Sequence, residues 1–373
     1  MENLIFFLFC LLSVINIKIK GTNCFYKDYM TLENTSPIKG IFVWLIIMRH
    51  YKSYYKSKKV YICNKIISCL GQKIVSLFLF YSGYGINESI KRKGITYVKT
   101  LPKKSLILFI KFQIILLIFL FNNILLGIKF NFKKYVLSII FKETLGNSNW
   151  FAFTIISFYL YSFLSFGFIK NKNLYFIGII LINIISYLHS YFTYNYFYPK
   201  KNCSVDNILC FIIGIYYSLL KIYFDKIFMK NDILYFGNIA IIIVIYYYFY
   251  SFCTKNIYFI SITNCLFSLI TIFVSMKIRF NNEFLMILNS HSYSIYLLQR
   301  VIMRFVYYNK YFQNNQFIRF IFIFVSILFI SNIFDKYTNF IDNIFKQKKN
   351  SYEDKTSNNS KGYKSINNKE QNV

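Results

Sequence analysis

Runs of apolar residues long enough to cross a lipid bilayer recur along this chain, and they constrain its fold more than any other feature. About 20 residues of helix span the hydrocarbon core of a membrane. Eleven apolar segments, the first of them short, lie near 4–17, 38–56, 66–86, 106–127, 149–169, 174–192, 207–224, 233–252, 257–276, 284–304 and 317–335. The chain is 56% hydrophobic, more than is expected of a soluble domain. The sequence therefore predicts an all-α polytopic membrane protein and argues against a soluble or secreted one.

The net charge of +30 has two interpretations. In a soluble protein it would indicate a nucleic-acid partner. Here much of the Lys lies between the apolar runs, where it can set the orientation of the helices and contact anionic lipid headgroups. The abundance of Lys, Asn, Ile, Tyr and Phe also resembles the bias of an AT-rich genome. We therefore expect membrane lipids as partners and no nucleic acid.

The distribution of basic residues predicts which ends of the helices are cytoplasmic. Cytoplasmic loops are enriched in Lys and Arg. Loop 87–104 carries Lys91, Arg92, Lys93, Lys99, Lys103 and Lys104. Basic residues near 170–172, 221–230 and 277–279 and in the C-terminal tail fall on the same side, whereas the basic loop 51–65 conflicts. We expect a multi-pass protein of the cell (cytoplasmic or inner) membrane with a cytoplasmic C-terminal tail.

Three regions are expected along the chain. Residues 1–35 form an N-terminal hydrophobic anchor and loop, residues 36–336 form the membrane domain, and residues 337–373 form a disordered basic tail rich in Asn, Lys and Ser. The first apolar segment could instead be a cleaved signal sequence. Lys18 and Lys20 follow it in place of a small-residue cleavage site, which favours an uncleaved anchor.

The stretch "KGIFVWLIIMRH", residues 39–50, carries a cation at one end and a histidine at the other. Eleven residues make about three helical turns, so Lys39 and His50 lie on one face about 16 Å apart along the axis. An ionisable group inside a membrane is a candidate functional residue, and histidine can take a proton from a hydroxyl. A cation three turns away could hold an anionic cosubstrate. Alternatively, Arg49, His50 and Lys52 are only an interfacial cluster that ends a helix.

Five stretches together resemble a known family. They are "IKGIFVWLIIMRH" from Ile38, "SLFLFYSGYGI" from Ser76, "YVKTLPKKSL" from Tyr97, "NWFAFTIISFYLYSF" from Asn149 and "SHSYSIYLLQR" from Ser290. In this order they resemble acyltransferase family 3, the integral membrane O-acyltransferases. The resemblance covers roughly residues 36–335. It implies a core of about ten transmembrane helices, preceded here by one extra N-terminal helix.

The resemblance also implies an activity. Members of this family transfer an acyl group, usually acetyl, from acyl-CoA in the cytoplasm to a hydroxyl of a cell-surface polysaccharide or glycolipid. Acyl-CoA would be a cosubstrate, and no bound cofactor is implied. No metal is expected, since the eight cysteines form no CxxC pair.

The family's motifs assign roles to individual residues. His50 would be the general base. The cations at Lys39, Lys103 and Lys104 would meet acyl-CoA from the cytoplasm. The run Ser82, Gly83 and Tyr84 would shape the site, with the glycine allowing close backbone approach.

Three positions depart from the family's pattern. Lys39 stands where Arg is usual, which keeps the charge but loses the two-pronged hydrogen-bonding geometry of a guanidinium. Leu106 and Ile107 occupy the place of a second basic residue after Lys103 and Lys104. Gln299 stands where a histidine often follows the Tyr-Leu pair. These departures affect residues that would bind acyl-CoA, whereas the histidine of the pattern is retained.

Three more residues are candidates for a supporting role. Trp150 begins an apolar segment, and an interfacial aromatic anchor would explain it. Glu143 could orient His50, although a solvated loop carboxylate would look the same in the sequence. His291 lies in the polar patch "NSHSYS" of a late helix, where a role near the site and a role in packing are equally open.

Two other functions fit a polytopic membrane protein with an intramembrane histidine. A transporter or flippase of a lipid-linked glycan would use the histidine and cations as a gate or substrate contact. A glycan polymerase would need a large outer loop, and outer loops such as 193–206 are short. We therefore retain the transporter as the alternative to the acyltransferase.

Overall fold

The computed structural model describes residues 2–55, 67, 70–129, 131–169, 174–197, 205–253, 257–309 and 316–367, and they are mostly helical. The helices are α1 Glu2–Val14, α2 Leu32–Tyr54, α3 Lys73–Lys93, α4 Ile95–Val98, α5 Leu101–Leu125, α6 Phe132–Ile139, α7 Trp150–Phe166, α8 Tyr175–Phe192, α9 Val205–Phe228, α10 Asp232–Ser251, α11 Ile257–Ser275, α12 Glu283–Ser290, α13 Ser292–Tyr308 and α14 Gln316–Asn367. A π-helical turn, Thr193–Phe197, follows α8. The basic residues of 56–66, Lys170–Lys172 and residues 198–204 of the loop 193–206 lie outside the described residues.

Six helical stretches in the described part of the chain are long and apolar enough to cross a membrane. They are Ile95–Leu125, Tyr175–Phe192, Asn207–Phe228, Asp232–Ser251, Tyr258–Ser275 and Gln316–Ile341. The protein is thus of the helical membrane class, while a count of about ten core spans stays a prediction. The two helices that carry the candidate site are not among the six. Helix α2 contains four charged residues, and α13 has 17 residues.

Glycines bring helices α3 and α9 unusually close together. A Cβ atom on Gly83 would lie 2.0 Å from the carbonyl oxygen of Phe211, and one on Gly214 would lie 2.2 Å from that of Phe80. Each helix therefore uses a glycine to admit the backbone of the other, as small residues do between membrane helices. Gly40 of α2 meets the Leu285 carbonyl of α12 in the same way, at 2.0 Å.

The described residues also contain one small sheet beside the helices. Strand β1, Ile17–Ile19, pairs antiparallel with β2, Ile278–Phe280. Three residues are too few for the alternation that identifies a strand in a sequence. The pairing also joins segments about 260 residues apart, and only the folded chain brings them together. Arg279 of β2 binds the carboxylate of Asp28, which precedes α2, at 2.6 Å.

The C-terminal segment also differs from its prediction. Disorder was expected for 337–373, whereas α14 continues as a helix to Asn367. The chain divides into two compact units, 1–331 and 332–373. The second unit contains no proline and only Gly362 as a strong helix breaker, so the apolar helix that precedes it can continue. All residues of the site described below belong to the first unit.

Candidate active site

One face of α2 connects the predicted cation with the predicted histidine. Both residues lie in the same helix, as expected. Lys39, Val43, Ile46 and His50 follow one another at spacings of four, three and four residues, so their side chains form a single stripe. The middle two line a cavity. The space between the two ionisable residues is therefore partly empty.

This apolar cavity has a volume of about 220 Å³. Five helices line it, through Val43 and Ile46 of α2, Ser82 of α3, Leu108 of α5, Phe151 of α7 and Tyr296 of α13, among others. Its walls are mostly aliphatic and aromatic. A small apolar group such as a short acyl chain fits this environment better than a charged one.

Next to the apolar cavity, His50 contacts an arginine. The Arg300 Nη2 atom lies 3.0 Å from Nδ1 of His50, which is half-buried. A guanidinium can only donate, so Nδ1 is the acceptor and the proton of the neutral ring is on Nε2. Arg300 thereby fixes the tautomer of the imidazole. Arg300 was not among the site residues predicted from the sequence.

A stripe on α13 runs alongside the stripe on α2. Ser292, Tyr296, Arg300 and Arg304 recur every four residues. The first two line the apolar cavity, Arg300 binds His50, and Arg304 lines a second cavity together with Tyr54 of α2. Helices α2 and α13 therefore run parallel, and their side chains line one path. Its order is apolar cavity, histidine–arginine pair and second cavity.

The second cavity is basic and measures about 380 Å³. Arg304, Lys129 and Lys134 line it, and so do Tyr54, Tyr307 and Tyr308. We call it the basic cavity. Arg304 donates from Nη1 to the Leu145 carbonyl oxygen at 2.7 Å. The neighbouring Gly146 has φ +107°, a conformation that favours glycine, and its missing Cβ leaves room for the arginine.

At the opposite end of the stripe, Lys39 contacts an aromatic ring. Its Nζ atom lies 4.8 Å from the centre of the Tyr81 ring, within range of a cation–π interaction. Lys103 and Lys104 begin α5, which reaches the apolar cavity at Leu108, so they lie at the same end as Lys39. They do not line the cavities described here, and Lys104 packs its Nζ 4.3 Å from the Tyr97 ring centre.

A third cavity, of about 590 Å³, lies at the C-terminal end of α3. Lys91, Arg92 and Lys93 line it, with Tyr175 and Phe176. One of the three cations, Lys91, is paired with Glu88 at 2.6 Å. Helix α3 passes the apolar cavity at Ser82 and then continues to this point, so the third cavity lies beyond Lys39. Positive charge thus accumulates at the Lys39 end of the stripe.

The predicted run Ser82, Gly83 and Tyr84 divides among three surroundings. Ser82 lines the apolar cavity and donates to the Phe78 carbonyl oxygen at 2.8 Å. Gly83 faces the backbone of α9, and the Tyr84 ring lies 6.2 Å from that of Tyr217. Only the serine therefore faces the path directly, while the glycine fixes the helix that carries it.

The three supporting candidates lie around the path. Glu143 is exposed, and its backbone carbonyl accepts a hydrogen bond from Asn149 at 2.9 Å, while the group at His50 is Arg300. Trp150 begins α7 and packs edge-on against Phe151, which lines the apolar cavity. His291 caps α13 immediately before Ser292, and its carbonyl accepts the Ile295 N–H at 2.8 Å.

Two functional candidates, Arg300 and Arg304, were missed, although the sequence carries a signal for them. Both are cations in an otherwise apolar helix, the same criterion that identified His50. Their spacing of four residues also places them on one face. Gln299, which departs from the family's pattern, is fully buried, and its Nε2 donates to the Tyr296 carbonyl at 3.2 Å.

Comparisons with known proteins do not assign a family. No family model, no curated protein and no solved structure matches the chain. Among the described residues, no group of three His, Cys, Asp or Glu side chains is placed to hold a metal ion. The geometry of the path and the motifs therefore provide the evidence on function.

Proposed function

We propose that the protein is a membrane-embedded acyltransferase that moves an acyl group, such as acetyl, from acyl-CoA to a hydroxyl of a cell-surface polysaccharide or glycolipid. The observation that carries the proposal is the apolar cavity on the face of α2 between Lys39 and His50. It offers a dry place for an acyl group, with cations at one end and a histidine at the other. The motifs that resemble acyltransferase family 3 support the same activity.

The Lys39 end is the donor side in this proposal. CoA carries several phosphates, and Lys39, Lys103, Lys104, Arg92 and Lys93 gather at that end. Phosphates bind such groups through charge-assisted hydrogen bonds. This end and the C-terminal tail then face the cytoplasm, where CoA is found. A core of about ten membrane helices belongs to the same proposal.

The transfer step uses His50 as general base. The acceptor hydroxyl oxygen attacks the thioester carbonyl carbon of acyl-CoA, and a C–O bond forms. The C–S bond breaks, and CoA leaves as a thiolate. His50 takes the hydroxyl proton and passes it to the thiolate, so the products are an ester and CoA thiol.

Arg300 must move for His50 to act, because its hydrogen bond occupies Nδ1 of the ring. When substrate binds, the guanidinium turns to the thioester carbonyl oxygen, on which negative charge develops. The lone pair of Nδ1 is then free for the hydroxyl proton. One arginine thereby links arrival of the acyl group to activation of the base.

The test is His50→Ala in cells that make a defined surface polysaccharide, with the O-acetyl content of that glycan measured by NMR. We expect acetylation with the wild type and a loss of at least about 100-fold in the variant, since a general base contributes roughly 10²–10⁴ to a rate. The matched control is Arg49→Gln. Arg49 is the neighbouring residue, but its side chain is exposed, so acetylation should persist.

Membrane amounts of the three proteins must be matched for this comparison. Acetylation that persists in His50→Ala would refute the role of the histidine. The path would then suit the transporter of a lipid-linked glycan, since it has cavities on both sides of a polar pair. In that case His50→Ala should lower the amount of glycan at the surface and leave its acetylation unchanged.

A further inference from the structure

The basic cavity contains positive charge that the protein does not neutralise. Arg304 is half-buried, and Lys129 and Lys134 are exposed at its edge. Within the described part of the chain, none of the three forms an ion pair. Glu143 of the neighbouring loop makes none with them either. The three cations around this cavity therefore favour binding of a negatively charged ligand from outside the protein.

A buried amide in the same cavity adds an independent requirement. Asn123 is 9% exposed, and its Nδ2 donates to the Leu145 carbonyl oxygen at 3.1 Å. Its Oδ1 has no hydrogen-bond donor among the described residues. An unsatisfied buried acceptor is costly, so a ligand that brings a hydroxyl would be favoured there. A bare anion cannot meet this need, because it has no donor.

Three tyrosines complete the lining. Tyr54, Tyr307 and Tyr308 line the cavity, whose volume of about 380 Å³ is in the range of small-ligand sites. Aromatic rings offer apolar faces to stack against and polar tips that hydrogen-bond. The positive charge, the free hydrogen-bond acceptor on Asn123 and the aromatic residues together match a sugar that carries a carboxylate and hydroxyl groups.

The position of the cavity relates this sugar to the chemistry. Tyr54 follows His50 by four residues, and Arg304 follows Arg300 by four residues, a rise of about 6 Å along each helix. Because they are four residues apart, Arg300 and Arg304 lie on the same face of α13. A sugar bound in the basic cavity therefore lies about one sugar unit away from the hydroxyl that would be placed at His50.

We propose that the basic cavity binds an acidic sugar of the acceptor glycan, with its carboxylate at Arg304, Lys129 and Lys134 and a hydroxyl at Asn123. This inference rests on the proposed acyltransferase function and names its acceptor class as an anionic polysaccharide. The bound sugar would position a neighbouring hydroxyl at His50.

The test measures binding without acyl-CoA. The full chain is placed in phosphatidylcholine nanodiscs and titrated calorimetrically with tetragalacturonate, and with its methyl ester as the neutral match. We expect the acid to bind at least about tenfold more tightly than the ester. The double variant Lys129→Gln/Lys134→Gln should lose about tenfold in affinity, or about 1.4 kcal/mol for the two cations together.

The matched control is Lys133→Gln/Lys142→Gln. These lysines are exposed in the same region and do not line the cavity, so affinity should stay within about twofold. Arg304→Gln should lose more, although it also releases the Leu145 carbonyl, which is why the lysine pair decides the test. Equal binding of acid and ester, or equal effects of the two lysine pairs, would overturn the proposal.

Two further arms separate the sources of negative charge and the two proposals. If phosphatidylglycerol in the nanodisc binds the protein through Lys129 and Lys134, and tetragalacturonate does not bind, the cavity is a lipid-headgroup site and the proposal fails. Acetyl transfer to a neutral glycan without acid binding would overturn only the acidic-sugar proposal. Acid binding that depends on the lysines, with no transfer from acetyl-CoA to any glycan, would support it and count against the acyltransferase.

Discussion

The two cavities on either side of the His50–Arg300 pair are built in different ways. Five helices enclose the apolar cavity, and the backbone of α3 beside it is pressed against that of α9 at Gly83. Helix ends and a loop surround the basic cavity, and two side chains, those of Arg304 and Asn123, hold that loop at the Leu145 carbonyl. Closely packed helix backbones cannot easily move apart, whereas a side chain can rotate to another conformation. We therefore expect the apolar cavity to be a rigid site for the acyl donor and the basic cavity to be an adaptable site for the acceptor glycan.

The largest expected effect distinguishes the arginine at the centre of the path from the one in the basic cavity. We expect Arg300→Gln to lower kcat about 100-fold, the usual cost of losing one donor to a developing oxyanion. Arg304→Gln should instead raise KM for the acceptor and change kcat little. Steady-state transfer of radiolabelled acetyl from acetyl-CoA to polysaccharide would measure both constants.

Arg300→Lys is the control for charge alone. It keeps a donor near the thioester carbonyl and should restore part of kcat, because lysine can make one of the hydrogen bonds of the guanidinium. If Arg300→Gln raised only the KM for the acceptor, the two arginines would have the same role. The distinction between a chemical centre and a binding cavity would then be wrong.

The second prediction concerns the rigidity of the apolar side. Gly83→Ala would bring a Cβ within 2.0 Å of the Phe211 carbonyl oxygen, so the two helices must separate. We expect a loss of about 2 kcal/mol in stability, typical of overpacking. In Gly85→Ala the new Cβ meets no atom within 4 Å, and this helix should keep its stability. Thermal unfolding followed by fluorescence-detected gel filtration would compare them, and equal midpoints would contradict the prediction.

The third prediction fills the apolar cavity. Val43 is 2% exposed and lines it, so Val43→Phe should reduce the space for the acyl group. We expect about a tenfold loss of kcat/KM with acetyl-CoA, a change of about 1.4 kcal/mol, and a greater loss with butyryl-CoA. Val244→Phe is the control, since Val244 is 67% exposed on α10. An equal loss with both donors would show that the cavity does not hold the acyl chain.

Some features of the path could be predicted because they depend on a single helix. The period of 3.6 residues places Lys39 and His50 on one face wherever α2 packs, and both lie in that helix. The close approach at Gly83 could be expected from a small residue in an apolar helix. Its partner, Phe211, could not, because nothing in either segment encodes which helix lies opposite.

The remaining features depend on contacts between distant segments. Arg300 meets His50 across 250 residues of sequence, and Glu143, the acid considered for that place, is exposed instead. Hydrophobic patterns show which face of a helix is buried but not which polar group meets it. The pairing of β1 with β2 is hidden for the same reason. The roles in acyl transfer assigned to Lys39, Lys103, Lys104 and His50 stay predictions.

The smallest expected effect tests a region that lines neither cavity. Asp28 binds Arg279 of β2 at 2.6 Å. Partial burial raises the pKa of the Asp28 carboxyl, but hydrogen bonding with Asn34 and the charge of Arg279 outweigh it, so the pKa is lowered. A carboxyl with a lowered folded-state pKa stabilises the fold above its unfolded value of about 3.9, and this contribution is lost as the pH falls through the folded value.

Asp28→Asn should therefore destabilise the protein slightly at neutral pH, by about 0.5 kcal/mol for a largely exposed pair. The difference from the wild type should shrink as the pH falls from neutral to an acidic value below the folded-state pKa, where the wild-type carboxyl is also neutral. Thermal unfolding at both pH values measures it. Because Arg279 also packs against Tyr26 at 4.1 Å, a double-mutant cycle with Arg279→Gln isolates the ion pair. Transfer activity should be unchanged, and a loss would show that this end of α2 is coupled to the path.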